Sequence, residues 1–158
     1  MSKIKVGVMG GAGYTGGELL RVLVNHPNAE ITFVHSKSNF KSKISDVHTD
    51  LLGDLDLSFT DQIDKTVDVV FLCVGHGDAK KVLESTKFSE TTKVIDLSQD
   101  FRIKDAEDSS FVYGLPELNK TEIKSANNIA NPGCFATAIQ LALLPLLNLN
   151  LIKSDIHI

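Results

Sequence analysis

Short apolar runs recur along the chain at 4–9, 29–34, 68–74, 93–97 and 127–130, and each closes on a glycine-rich or polar break. Between them the apolar residues change period. Leu19, Leu20, Leu23 and Val24 recur at helical spacing, and the stretches 78–88 and 135–147 continue as helices. Strand and helix in alternation predict an α/β domain with a doubly wound, mostly parallel sheet. The unbroken run from Asp68 to Val74 fits a strand covered on both faces, which makes Cys73 an inert core residue. Residues 40–61 are the least regular, with a short alternating strand expected at the end of 50–59. Residues 111–118 read as a semi-apolar loop able to wall a pocket.

The first strand flows straight into Gly10-Gly11-Ala12-Gly13-Tyr14-Thr15-Gly16 and then into a helix. Two registers of one phosphate loop fit: Gly11-x-Gly13-x-x-Gly16 and Gly10-x-x-Gly13-x-x-Gly16. In either, the glycines form a tight turn and let backbone N–H groups approach a pyrophosphate at the helix start. This is the order of a Rossmann-like dinucleotide-binding domain. The end of the second strand selects the nucleotide. An NAD site commonly places an acid there for the ribose 2′-hydroxyl, whereas His35-Ser36-Lys37-Ser38 offers two hydroxyls and a lysine. Ser36 and Ser38 therefore favour the 2′-phosphate of NADP.

Later strand ends carry further candidates. Gly75 lets backbone come close to the cofactor, and the adjacent His76 is either a ligand contact or a solvated loop residue. Ser98 is a candidate donor to the cofactor. Arg102 either holds a carboxylate or phosphate with its planar fork or pairs with Asp100 to shape the loop. In Asn131-Pro132-Gly133-Cys134, proline and glycine end an extended segment and set the cysteine in the first turn of an apolar helix. Unpaired N–H groups and the helix dipole favour a thiolate there, making Cys134 a candidate nucleophile; the alternative is a small buried residue in a helix–sheet contact. Glycine loop, Ser98 and Cys134 are expected on one rim.

Composition excludes more than it assigns. A chain of 158 residues is one domain's worth, and its net charge of −4 offers no basic field for nucleic acid. The apolar stretch 141–147 contains Pro145 and is too short to span a bilayer, and no secretory signal precedes the first strand. A cytoplasmic protein with no membrane partner and no metal site is expected. The two cysteines do not form a disulfide framework.

Four segments together, GGAGYTG at 10–16, DLSQDFR at 96–102, YGLPEL at 113–118 and NPGCFAT at 131–137, resemble the N-acetyl-gamma-glutamyl-phosphate reductase family through essentially the whole chain. The resemblance implies NADPH-dependent reduction of a small acyl phosphate to its semialdehyde, in arginine biosynthesis, through a cysteine thioester. It carries the nucleophile onto Cys134 and cofactor contacts onto Gly10, Gly13, Gly16 and Ser98; Tyr14 and Thr15 in the same loop, and Gly75, are expected to contact the cofactor as well. Ser36 and Ser38 take the 2′-phosphate, and Arg102, from its place at a strand end, is the candidate substrate contact. The resemblance also implies a homo-oligomeric parent about twice as long, with residues 1–153 as the NADP-binding domain and 154–158 opening a second. The family's acid/base histidine belongs to that second domain. None of His26, His35, His48, His76 and His157 matches it, so the chain alone is expected not to turn over. Phe135-Ala136 and Lys41-Ser42 depart from the family's usual Tyr-Pro and Ala-Gly. Two alternatives remain: an aspartate-semialdehyde dehydrogenase, which usually has Asn-Pro-Asn-Cys around its cysteine, and a non-catalytic NADP-binding regulatory module.

Overall fold

A computed structural model describes residues 2–103, 110–152 and 155–157. The expected boundary between 153 and 154 lies outside the described residues. Six strands form one sheet: β1 (Ile4–Met9), β2 (Ala29–His35), β3 (Val69–Leu72), β4 (Lys93–Asp96), β5 (Phe111–Tyr113) and β6 (Asn128–Ala130). The helices are α1 (Tyr14–Val24), α2 (Ile44–Val47), α3 (Ala79–Ser85), α4 (Pro116–Ser125) and α5 (Cys134–Asn148), with a 3-10 turn at Thr49–Leu51. Strand order is β2-β1-β3-β4-β6-β5 and every pairing is parallel. From β1 the chain winds outward to β2, then crosses back to β3 on the other side. That reversal opens a crevice beyond the carboxyl ends of β1 and β3, the place where open α/β sheets hold ligands.

Alternation within the strands divides the core in two. Val6 and Val8 of β1 and Val34 of β2 face one side, where Leu20 and Leu23 of α1 and Ile44 of α2 cover them. Met9, Phe33, Val70 and Leu72 face the other, under Ala79 of α3 with Val82 and Leu83 beside it. Each fully buried aliphatic side chain contributes about 1.5–3 kcal/mol. The two faces together fix the sheet between α1 and α3, and with it the strand ends that line the crevice. On the α1 side, Arg21 grips Asp50 with two hydrogen bonds, Nε to Oδ2 at 2.6 Å and Nη2 to Oδ1 at 2.8 Å. Both groups face solvent, so the pair orients the 40–61 segment more than it stabilises it.

Three expectations change. The segment 111–118 is not a loop: Phe111–Tyr113 pairs in parallel with β6, and Pro116 starts α4. Aromatic and β-branched residues in succession suit a strand edge, and proline suits a first helical turn. The alternating strand expected near 50–59 reduces to the 3-10 turn and an isolated bridge between Lys43 and Ser58. Helix 78–88 shortens to Ala79–Ser85. α5 follows its predicted course, yet none of its residues is fully buried: Phe135 is 82% exposed and Leu146 and Leu147 are also open. No helix among the described residues is long and apolar enough to cross a membrane.

Two glycines of the phosphate loop are required by geometry. Gly10 has φ +77°, and a Cβ there would collide with the carbonyl oxygen of Cys73. A Cβ on Gly16 would lie 2.6 Å from the Gly11 Cα, so α1 could not seat against the loop. Gly53 has φ +92° in open space. In urea titrations, Gly10→Ala should lose about 1–3 kcal/mol from backbone strain with collision added, and Gly53→Ala less. Equal losses would contradict the role given to the Cys73 contact.

Candidate dinucleotide cleft and cysteine loop

The crevice is a cleft of about 740 Å³ between the ends of β1, β2 and β3 and the side of α3. Met9 and Gly10 form its floor, Ser36 to Asn39 one wall, and Cys73 to Gly75 the other. The wall begins where His35 takes two loop amides: Gly10 N–H and Gly11 N–H both donate to its carbonyl at 3.0 Å. That shared acceptor fixes the loop to β2. Gly13 precedes α1 without a side-chain cap, and Tyr14 is 87% exposed with Thr15 also open. The first-turn N–H groups of α1 are therefore directed to a ligand or to water. The imidazole of His35 is held neutral to a lower pH than usual, by burial first and by Lys37 second.

Beside it the predicted 2′-phosphate residues come together. Ser36 is buried and its Oγ lies 3.4 Å from the Oγ of exposed Ser38. Asn39, which sequence reasoning missed, organises both: its N–H donates to Ser36 Oγ at 3.3 Å and its Nδ2 to Ser38 Oγ at 3.0 Å. No motif marks it, because its role is to order neighbours in a turn. Opposite, Lys81 pairs with Asp78 at 2.9 Å on the mouth of the cleft. Cys73 corrects the inert-core expectation in part. It stands just past β3, half-buried on the cleft wall, with burial first and Asp96 second pushing its thiol up to about 12.

The β4 end is a polar network. Ser98 is only 1% exposed, and its hydroxyl donates inward to Asp96 Oδ2 at 2.7 Å while accepting the Asp100 N–H at 3.1 Å. The proton expected for a cofactor is committed to Asp96. Burial raises the Asp96 pKa, and the Ser98 hydrogen bonds oppose that rise. Asp100 then reaches across to α3, accepting N–H groups of Gly77 at 2.6 Å, Ala79 at 3.0 Å and Lys80 at 3.4 Å. Burial works against its charge, but these bonds together outweigh it and its pKa falls. His76 adds a second stitch, its Nδ1 accepting the Gln99 N–H at 3.1 Å. Nothing local in the sequence announces Asp100 as a cap, because the helix it caps begins 21 residues earlier.

Arg102 does not pair with Asp100. Its Nε donates to the Asn131 carbonyl at 2.9 Å and its Nη2 to that of Leu97 at 2.8 Å, so the guanidinium ties the β4 end to the cysteine loop. Nη1 lies against Gly133, where a Cβ would come within 2.9 Å, and it makes no hydrogen bond among the described residues. Arg102 also borders an open depression with Lys80 and Gln99. Cys134 is the first residue of α5, exposed, behind an N-cap glycine that offers no side-chain cap. The cysteine loop thus stands at the same carboxyl edge as the cleft, joined to it through Arg102 and Asp100.

The profile of the family "Semialdehyde dehydrogenase, NAD binding domain" matches residues 5–126. The chain belongs to this family. Within it, the chain is 58% identical over 156 residues to an N-acetyl-gamma-glutamyl-phosphate reductase of Azobacteroides pseudotrichonymphae, covering 98% of the chain and 49% of that relative. It is 56% identical over 155 residues to the reductase of the same name from Christiangramia forsetii, covering 98% and 48%. The chain spans about half the length of these curated relatives. Among solved structures, aspartate semialdehyde dehydrogenase with NADP from Candida albicans superposes with a TM-score of 0.67 at 17% identity, over 93% of this chain and 47% of that one. Aspartate semialdehyde dehydrogenase II of Vibrio cholerae, complexed with ASA, gives 0.68 at 20% identity over 94% and 43%. At such identity the likeness shows the semialdehyde dehydrogenase fold alone.

The two thiols of this domain should differ in reactivity. Cys73 has its pKa pushed to about 12, so almost none is thiolate at neutral pH, and Cys134 is open to reagent. Iodoacetamide labelling at pH 7.5 followed by peptide mapping should modify Cys134 first, by about tenfold or more. Prior labelling of Cys73 would require another nucleophile.

Proposed function

We propose that this chain forms the NADPH-binding, cysteine-bearing part of a reductase that converts an N-acyl-gamma-glutamyl phosphate to its semialdehyde. The observation that carries the proposal is the placement of Cys134, at an uncapped helix start on the same sheet edge as the glycine loop. The names of relatives at 56–58% identity support the substrate class. Gly133 in place of a second asparagine argues against the aspartate-semialdehyde alternative.

In this reading Gly10 to Gly16 receive the pyrophosphate, and Ser36 and Ser38, ordered by Asn39, receive the 2′-phosphate. Gly75 gives backbone clearance at the end of β3. Ser98 acts through its backbone and through Asp96 and Asp100, with no hydroxyl proton left to donate. The Cys134 thiolate attacks the acyl carbon; a C–S bond forms, the C–O bond to phosphate breaks, and inorganic phosphate leaves with the electron pair. The amides that open α5 can hold the oxyanion of the addition step. Arg102 fixes the turn before Cys134 and offers Nη1 toward a substrate carboxylate or phosphate. NADPH, when bound, supplies the hydride that reduces the resulting thioester. Release of the aldehyde returns the sulfur to Cys134 and needs an acid/base group. The His26, His48 and His76 rings are engaged with Asn28, Gly11 and Gln99, so none is assigned that role.

Calorimetry and phosphate release test the two halves of the proposal separately. NADPH should bind about tenfold more tightly than NADH, a gain of about 1.4 kcal/mol; equal or tighter NADH binding overturns the assignment of Ser36 and Ser38. With freshly prepared N-acetyl-gamma-glutamyl phosphate, the chain should release about one phosphate per Cys134 in a burst without steady NADPH oxidation. Cys134→Ser should give no burst. An undiminished burst in that variant overturns the nucleophile.

A further inference from the structure

His48 lies in the irregular segment 40–61, where no motif singled it out, and it is only 8% exposed. Its Nε2 sits 2.9 Å from the carbonyl oxygen of Gly11. A carbonyl only accepts, so Nε2 carries the proton and donates. The ring is held from three directions. Its backbone closes α2 through His48 N–H to the Ile44 carbonyl at 2.9 Å, Phe59 meets it edge-on at 6.4 Å, and Gly17 leaves it space beneath α1. A Cβ on Gly17 would come within 2.5 Å of Cε1 and 2.7 Å of Nδ1. Asp50, next to this turn, is anchored in turn by Arg21.

The peptide after Gly11 shows what this contact does. Gly11 N–H is already held by the His35 carbonyl at 3.0 Å, and His48 holds Gly11 C=O, so both polar groups of that residue are fixed. In a trans peptide the C=O of Gly11 and the N–H of Ala12 point in opposite directions. Anchoring the oxygen toward His48 therefore turns the Ala12 N–H away from the protein body. Ala12 lines the cleft, and its N–H makes no hydrogen bond among the described residues. An amide so aimed, followed by the uncapped first turn of α1, forms a row of donors suited to phosphate oxygens.

We propose that His48 is a positioning residue for the phosphate loop, holding the Gly11 carbonyl so that the Ala12 N–H faces the dinucleotide pyrophosphate. The inference rests on the dinucleotide reading of the cleft, and it acts through the loop, with no contact between the imidazole and ligand. Loss of the donor frees the Gly11–Ala12 peptide to rotate and costs the cofactor one oriented amide. Glutamine, which carries a terminal N–H donor at comparable reach, restores the bond; phenylalanine fills the space without it.

The experiment compares the wild-type chain with His48→Phe and His48→Gln by hydrogen exchange and by NADPH titration. In His48→Phe, exchange in the peptide covering Gly10 to Gly16 should rise about tenfold, while the β4 peptide stays at its wild-type rate. NADPH affinity should fall about tenfold, equivalent to about 1.4 kcal/mol. His48→Gln should recover most of both losses. Where His48→Phe does not fold, Gly17→Ala displaces the ring from the helix side and should give the same local signature. Unchanged loop exchange, an equal rise throughout the chain, or a failure of glutamine to rescue overturns the proposal. If the wild-type chain binds no NADPH, the cofactor reading falls, and the exchange comparison still decides whether His48 orders the loop.

Discussion

Parallel strands release their last backbone groups at one edge, and here a single carboxylate decides how that edge is organised. Asp100 accepts the N–H groups of Gly77, Ala79 and Lys80, which closes the start of α3, while Ser98 holds the Asp100 N–H and Asp96 holds Ser98. Three of the helices that begin along this edge, α1, α3 and α5, border the candidate site. α3 is sealed by this borrowed cap; α1 and α5 start behind Gly13 and Gly133 without side-chain caps. Of these three, the uncapped starts are the one facing the cleft and the one carrying Cys134; α4 also begins at this edge, with Pro116 at its first position. In the proposed reading, that partition gives a dinucleotide phosphate and the Cys134 sulfur separate places. Its dependence on a carboxylate has a sign. The Asp100 pKa is depressed in the folded state, so its contribution to stability is present above the ordinary carboxylate pKa. It is lost as pH falls through the lower folded value.

Much of the fold was legible because hydrophobic period survives in short strands. β1, β2, β3, β4 and β6 were each predicted within a few residues, and the glycine loop announced the first βαβ unit. β5 was missed because Phe111, Val112 and Tyr113 are only three residues long and run into glycine and proline, so the turn chemistry hid a strand that exists by pairing with β6. The strand expected near 50–59 failed for the opposite reason. Its alternating leucines serve a 3-10 turn and a loop that bury Leu51 and Phe59 against α1's face of the sheet.

The site divides along the same line. Local motifs named Gly10, Gly16, Ser36, Ser38 and Cys134 as candidates, and the structure sets Gly10, Ser36 and Ser38 on the cleft and Cys134 at its helix start. What they did not give was long-range polar geometry. Asn39, His48 and Asp100 act by ordering other residues, and each does so through bonds that no periodicity or spacing encodes. Ser98 shows the same limit, since a serine at a strand end looks like a ligand donor until Asp96 is seen to take its proton. Arg102 was read as a choice between substrate and Asp100, and its two bonds go instead to the carbonyls of Asn131 and Leu97.

The central claim is that one rim serves both the nucleotide and the thiol. Amide NMR of the chain during NADPH titration tests it directly. Shifts are expected along Gly10 to Gly16, Ser36 to Asn39 and Gly75, continuing to Gly133 and Cys134 at the nicotinamide end, with the sheet's amino edge near Asn128 unmoved. Shifts confined to the amino edge, or a cysteine loop left silent at saturation, would contradict it.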